Sequence, residues 1–171
     1  MKKIVVVLFA VVMMFAFCAC GSSSDTNSDS GSNDGKTEQA DTAKATVGDY
    51  DVAIKGFEVI KDDEGKDAIA VTFDFTNNSE ENINFDYALY GQCFQNGVEL
   101  DFGTIYNGED TTDPGFDNLY KEIQPGASIE VKQAFLLQDL ENPVTVEVLS
   151  MNEIMGGESE GKAETEFDIT K

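Results

Sequence analysis

From about residue 47 onward, apolar and polar residues alternate with the period of two that marks a half-buried β-strand. Tyr50, Val52 and Ile54 share one face, and Phe57 and Val59 continue beyond Gly56 on the opposite parity. A phase switch at glycine predicts a bulge or bend. The next run is more regular, with Ile69, Val71, Phe73 and Phe75 on one face and Ala68, Ala70, Thr72 and Asp74 on the other. Between these runs lies KDDEGKD, residues 61–67, which reads as a solvated hairpin turn around Gly65. Phe85, Tyr87, Leu89, Gly91 and Cys93 predict a third strand. It ends at Asn96-Gly97, the strongest two-residue hairpin signal, and Val98, Leu100 and Phe102 return as a fourth. A long acidic loop, NGEDTTDPGFDNLYKEIQPGAS, follows, with a short helical turn expected over 116–122. Ile129, Val131, Gln133, Phe135 and Leu137 make a fifth strand, Val144, Val146 and Val148 a sixth, and Phe167 and Ile169 a seventh. About seven alternating strands without a long helical pattern predict an all-β, two-sheet antiparallel sandwich.

Upstream the pattern disappears. Residues 21–46 contain no Phe, Tyr, Leu, Ile or Val. Such a segment buries too little apolar surface to offset its ordering entropy, so residues 20–47 are expected to be a disordered linker and 48–171 the folded domain. Further upstream, Met1-Lys2-Lys3 precedes an uncharged apolar run, Ile4 to Ala19. That run is shorter than the roughly 20 residues a membrane span needs, and it reads as an export signal. The stretch FAFCACGSSSD, residues 15–25, resembles a bacterial lipoprotein signal. Small Ala19 precedes Cys20, bulky Phe17 precedes Cys18, and Gly21 and serines follow. The resemblance implies a signal peptide over 1–19 and a diacylglycerol thioether on Cys20 that anchors the linker to the cell membrane. An ordinary cleaved signal releasing a free protein is the alternative.

Charge and composition narrow the chemistry. The formal net charge is −22, with no arginine and no histidine. Phosphate backbones are held by Lys and Arg, so nucleic acid is not an expected partner. Anionic headgroups are disfavoured for the same reason, which leaves the lipid on Cys20 as the expected membrane contact. Without histidine neither a Cys–His pair nor a Ser–His–Asp triad can be built, nor a His/Cys zinc site. Cys93, the cysteine of the folded region, is expected to be a small buried hydrophobe.

Two groups of residues carry the candidate chemistry. Glu109, Asp110, Asp113 and Asp117 crowd the long loop. Converging loop carboxylates hold calcium, so they either bind that ion or are simply solvated, and no other cofactor is expected. Tyr106, Phe116 and Tyr120 also fall in or near this loop, and alternation does not place them in a core. Aromatics at a loop mouth stack on sugars or grip peptides, so these three are the candidate ligand contacts.

The pieces DAIAVTFDFTNNSEENINF, FQNGVEL, IQPGASIEV and PVTVEV, in that order, resemble a family of Gram-positive lipoprotein domains of unknown function (five-zero-six-seven). The resemblance implies an immunoglobulin-like sandwich in an extracytoplasmic, lipid-anchored setting, and it brings no catalytic residues. The expected function is therefore a non-enzymatic binding or adhesion module for a cell-wall or extracellular ligand. The alternatives are an accessory subunit of a cell-envelope complex and, behind it, a glycan hydrolase built on paired carboxylates.

Overall fold

A computed structural model describes residues 37–38, 43–105 and 113–170, which belong to one compact unit. Its strands are β1 (Thr37–Glu38), β2 (Ala43–Val47), β3 (Tyr50–Lys61), β4 (Asp67–Asn77), β5 (Leu89–Gln95), β6 (Val98–Glu99), β7 (Ser128–Leu136), β8 (Val144–Ser150) and β9 (Ala163–Phe167). Three single helical turns, α1 (Phe85–Ala88), α2 (Gly115–Asn118) and α3 (Met151–Ile154), join them. One sheet runs β3-β4-β7, with β1 and β2 both on the free edge of β3; the other runs β6-β5-β8-β9, and every pairing is antiparallel. β3, β4 and β7 occupy the places of strands A, B and E of an immunoglobulin fold, and β9, β8, β5 and β6 those of G, F, C and C′. Residues 101–103 lie where a D strand would stand, along β7. The fold is thus the expected immunoglobulin-like sandwich, with an added N-terminal edge.

The period-two faces meet in one core, in which Phe73, Phe75, Phe85, Phe135 and Phe167 are essentially inaccessible. The predicted phase switch is a bulge: Ile54 pairs with Phe73 and Gly56 with Thr72, so Lys55 is the extra residue. Asn96 and Gly97 both have positive φ, 55° and 75°, as a type I′ hairpin demands.

Four expectations are corrected. The linker does not extend to residue 47, because Ala43–Val47 pairs with β3 and Val47 is fully buried. Its alternating residues are small, so composition hid the strand. Residues 85–88 form a helical turn and not the start of the third strand. The Asn84 side chain accepts a hydrogen bond from the Tyr87 amide at 2.9 Å and caps the turn, keeping Phe85 buried while Tyr87 turns outward. The fourth strand stops at Glu99. The chain then crosses to the first sheet, where Leu136 donates to Asp101 O (2.8 Å) and Gly103 to Ala134 O (2.9 Å). Finally, Asp62 in the 61–67 turn is buried, not solvated, and its Oδ1 accepts from the amides of Glu64 and Lys66 at 2.9 and 2.8 Å.

The far end of the sandwich is closed by a polar plug. Gln95 is 1% exposed, yet its side chain is saturated. Nε2 donates to the carbonyls of Asp139 and Asn142, and Oε1 accepts from the amides of Gln138 and Asp139. Asp139 in turn accepts from the side chain and amide of Asn142, from the Glu141 amide and from Asn96 Nδ2. These bonds, the Asn142 side chain first, hold its pKa down at about 2.

Gln95→Leu should strand this loop's backbone groups and cost roughly 2–3 kcal/mol in urea unfolding. Asp139 stabilises the fold fully above its unfolded pKa of about 4, and that contribution is lost as the pH falls towards 2. The thermal midpoint of Asp139→Asn should therefore fall less steeply than wild type across that window.

Candidate functional site

β6 is only two residues long, so most of the outer edge of β5 has no neighbouring strand. On the facing sheet, residues 101–103 run along the outer edge of β7 through the two hydrogen bonds given above. Between these edges lies a cleft of about 580 Å³, within the range of about 300–1,000 Å³ typical of small-molecule sites.

Glycines make room for it. A Cβ on Gly91 of β5 would stand 2.5 Å from Gln133 Oε1 of β7, and one on Gly115 would stand 2.8 Å from Lys132 Cγ. Gly115 thus lets α2 press onto β7. Lys132 fastens this contact, its ammonium lying 2.6 Å from Asp113 and 3.2 Å from Glu58. Asn118 adds a bond to the Glu130 carbonyl at 2.8 Å. Burial alone would raise the Asp113 pKa, but the Lys132 ammonium and the Gly115 amide bring it below the ordinary value.

Aromatic side chains form much of the wall. Phe102 meets Tyr90 edge-on, with ring centres 6.0 Å apart, and touches the core through Phe135 at 5.4 Å. The Tyr90 hydroxyl reaches Glu99 at 3.3 Å. Burial, followed by the charge of Glu99, raises its pKa. Phe116 is half-buried and Tyr120 exposed, both lining the cleft from the α2 side. Asp86 and Asp117 are its charged lining residues, and no lysine joins them among the described residues.

The floor has one anomaly. Gln133 Oε1 is buried and, among the described residues, is the buried side-chain atom without a hydrogen-bond partner. It fills the space left by Gly91, while the residue that carries it lines the cleft. A buried, unpaired carbonyl oxygen costs about 1–3 kcal/mol.

Of the aromatic candidates, the structure brings Phe116 and Tyr120 together in this cleft, while Tyr106 lies outside the described residues. Among the acidic candidates, Glu109 and Asp110 also lie outside them. Both oxygens of Asp113 are engaged, by Lys132 and by the Gly115 amide, and Asp117 lines the cleft instead of joining it. Among the described residues no group of three or more His, Cys, Asp or Glu is placed to hold a metal ion. Cys93 is buried, and burial pushes its thiol pKa well up, as for an inert hydrophobe. Sequence reasoning missed Gln133 and Phe102. A polar residue in the apolar stripe of the fifth strand was the available signal for Gln133; Phe102 followed strand parity across a change of sheet.

Comparison with known proteins adds the following. Residues 23–150 match the family described as Domain of unknown function (DUF5067). A candidate lipoprotein from Staphylococcus aureus is similar at 15% identity and a TM-score of 0.48, over 77% of this chain and 95% of that one. A protein from Enterococcus faecalis, solved by NMR, is similar at 20% identity and a TM-score of 0.49, over 74% of this chain and 91% of that one. No curated protein matches.

If the Gln133 oxygen is an unrelieved cost, Gln133→Leu should raise unfolding stability by about 1 kcal/mol. The same substitution at saturated Gln95 should lower it. Urea titrations of the two variants side by side check both signs.

Proposed function

The chain belongs to this family of domains of unknown function, and since membership brings no activity with it, we propose a role from the cleft itself: a lipid-anchored, extracytoplasmic, non-enzymatic module that binds a small ligand. One observation carries the reading. A rigid sandwich leaves an aromatic-lined cleft open between two sheet edges, with an unpaired acceptor on its floor. Proteins tolerate such a cost where function requires it. The FAFCACGSSSD stretch supports the anchor at Cys20, and the polar segment after it supports a tether that holds the domain away from the membrane surface.

Two experiments test this. Protein purified from its native membrane should have the mass of a diacylglycerol-modified chain beginning at Cys20, and Cys20→Ser should move it into the soluble fraction. An unmodified chain would contradict the anchor. For the cleft, a panel of sugars, amino acids, aromatic acids and aromatic amines should be titrated into the mature protein. Amide resonances of Gly91, Gly103, Leu119 and Gln133 should shift for at least one class, and Phe116→Ala should weaken that shift several-fold. Shifts confined to other surfaces would contradict the reading.

A further inference from the structure

The chemistry of the cleft narrows what it binds. We infer that the cleft between β5 and β7 recognises a protonated primary amine carried on an apolar or aromatic body; this rests on the binding role proposed above.

Three independent features point to that class. First, Gln133 Oε1 is a buried carbonyl oxygen with no donor, so the matching ligand group must carry an N–H or O–H. The oxygen rests in the space that Gly91 leaves, where a Cβ would come within 2.5 Å of it, and a donor meets it when the half-buried Gln133 side chain turns into the cleft that it lines. Second, the charged residues of the lining are Asp86 and Asp117, both exposed, within a chain of net charge −22. That field concentrates cations and repels carboxylates and phosphates. Third, Tyr90, Phe102, Phe116 and Tyr120 present ring surface to the same volume. Aromatic faces attract an ammonium and cover an apolar body.

An anion satisfies none of the three. A sugar satisfies the first and third and can donate hydroxyls to the carboxylates, but it carries no charge for the field to attract. A quaternary ammonium satisfies the second and third but has no N–H for Gln133. A primary ammonium on an apolar body meets all three.

The test uses the full mature protein and four probes of one shape: 2-phenylethylamine, its N,N,N-trimethyl analogue, 2-phenylethanol and phenylacetate. Dissociation constants are read from shifts of the Gly91, Gly103 and Gln133 resonances. The amine should bind tightest, several-fold ahead of the trimethyl compound and the alcohol and roughly tenfold or more ahead of phenylacetate. Its affinity should fall with added salt and with Asp86→Asn. Gln133→Leu should weaken the amine roughly tenfold and the alcohol by less, and leave the trimethyl compound, which has no N–H, almost unchanged. Gln133→Glu, which keeps an acceptor and adds charge, should hold or tighten amine binding, and it stands in if the leucine variant does not fold.

Equal affinity for amine and phenylacetate would overturn the inference, and so would amine binding indifferent to both Gln133 variants. If sugars or the alcohol occupy the cleft and the amine does not, the ligand class is wrong while the binding role stands. If no probe of any class moves a cleft resonance, the binding role falls with it.

Discussion

The two sheets are joined across their interior by side-chain packing: Phe57 of β3 meets Phe167 of β9 with ring centres 4.8 Å apart, and Phe85, on the turn that leads into β5, packs on β4. Its ring lies 5.3 Å from Phe73 and 5.6 Å from Phe75, the second contact edge-on. An immunoglobulin domain of an antibody uses a disulfide and a tryptophan at this level. This chain has no tryptophan, and Cys93 is a free, buried thiol. Phe85 does not arrive on a strand. It is carried by the single turn α1, whose Asn84 cap also donates to the Tyr120 carbonyl at 3.4 Å. Asn84 and Phe85 together therefore hold the start of β5 against β4 and meet the segment after α2. Asp86, Leu89 and Tyr120 take their places around the cleft from that arrangement.

The cleft follows from how the chain leaves the second sheet. After the Asn96-Gly97 turn, β6 makes two pairs with β5 and then crosses to β7. The crossing covers part of the β7 edge and leaves β5 open. Gly91 and Gly115 stand where side chains would otherwise fill the gap or push α2 away. The buried end of Lys132, 12% exposed, sits between Asp113 and Glu58 and ties the loop to two strands. Removing either carboxylate would leave the Lys132 ammonium, the sheltered end of the cluster, poorly solvated. The opening is thus set by backbone hydrogen bonds, absent side chains and one ion-pair cluster. Two glutamines of the same sandwich are treated in opposite ways. Gln95 satisfies a loop with four bonds, whereas Gln133 keeps an oxygen unpaired.

Much of the fold was legible locally. Alternation located β3, β4, β7 and β8, the Gly56 phase switch located the bulge, and Asn96-Gly97 located a hairpin whose positive φ angles match its chemistry. The failures share a cause, which is that the deciding contact is distant in sequence. Ala43, Ala45 and Val47 looked like linker because their partners lie in β3. Phe85 and Leu89 fit a strand face and one turn of helix equally well, and Asn84 decides between them. Phe102 keeps the parity of β6 while belonging to the other sheet. The site was half legible: Phe116 and Tyr120 stood out because alternation left them without a place. Gln133 broke an apolar stripe, but its unpaired oxygen depends on Gly91, which comes from the opposite sheet.

The most direct test of the account is a crystal structure of the mature protein taken from its own membrane, at a resolution that separates water from ligand. The account predicts density larger than water within hydrogen-bond distance of Gln133 Oε1, continuing against Phe116 or Tyr120. A closed cleft, or an oxygen fully satisfied by a protein donor, would contradict it.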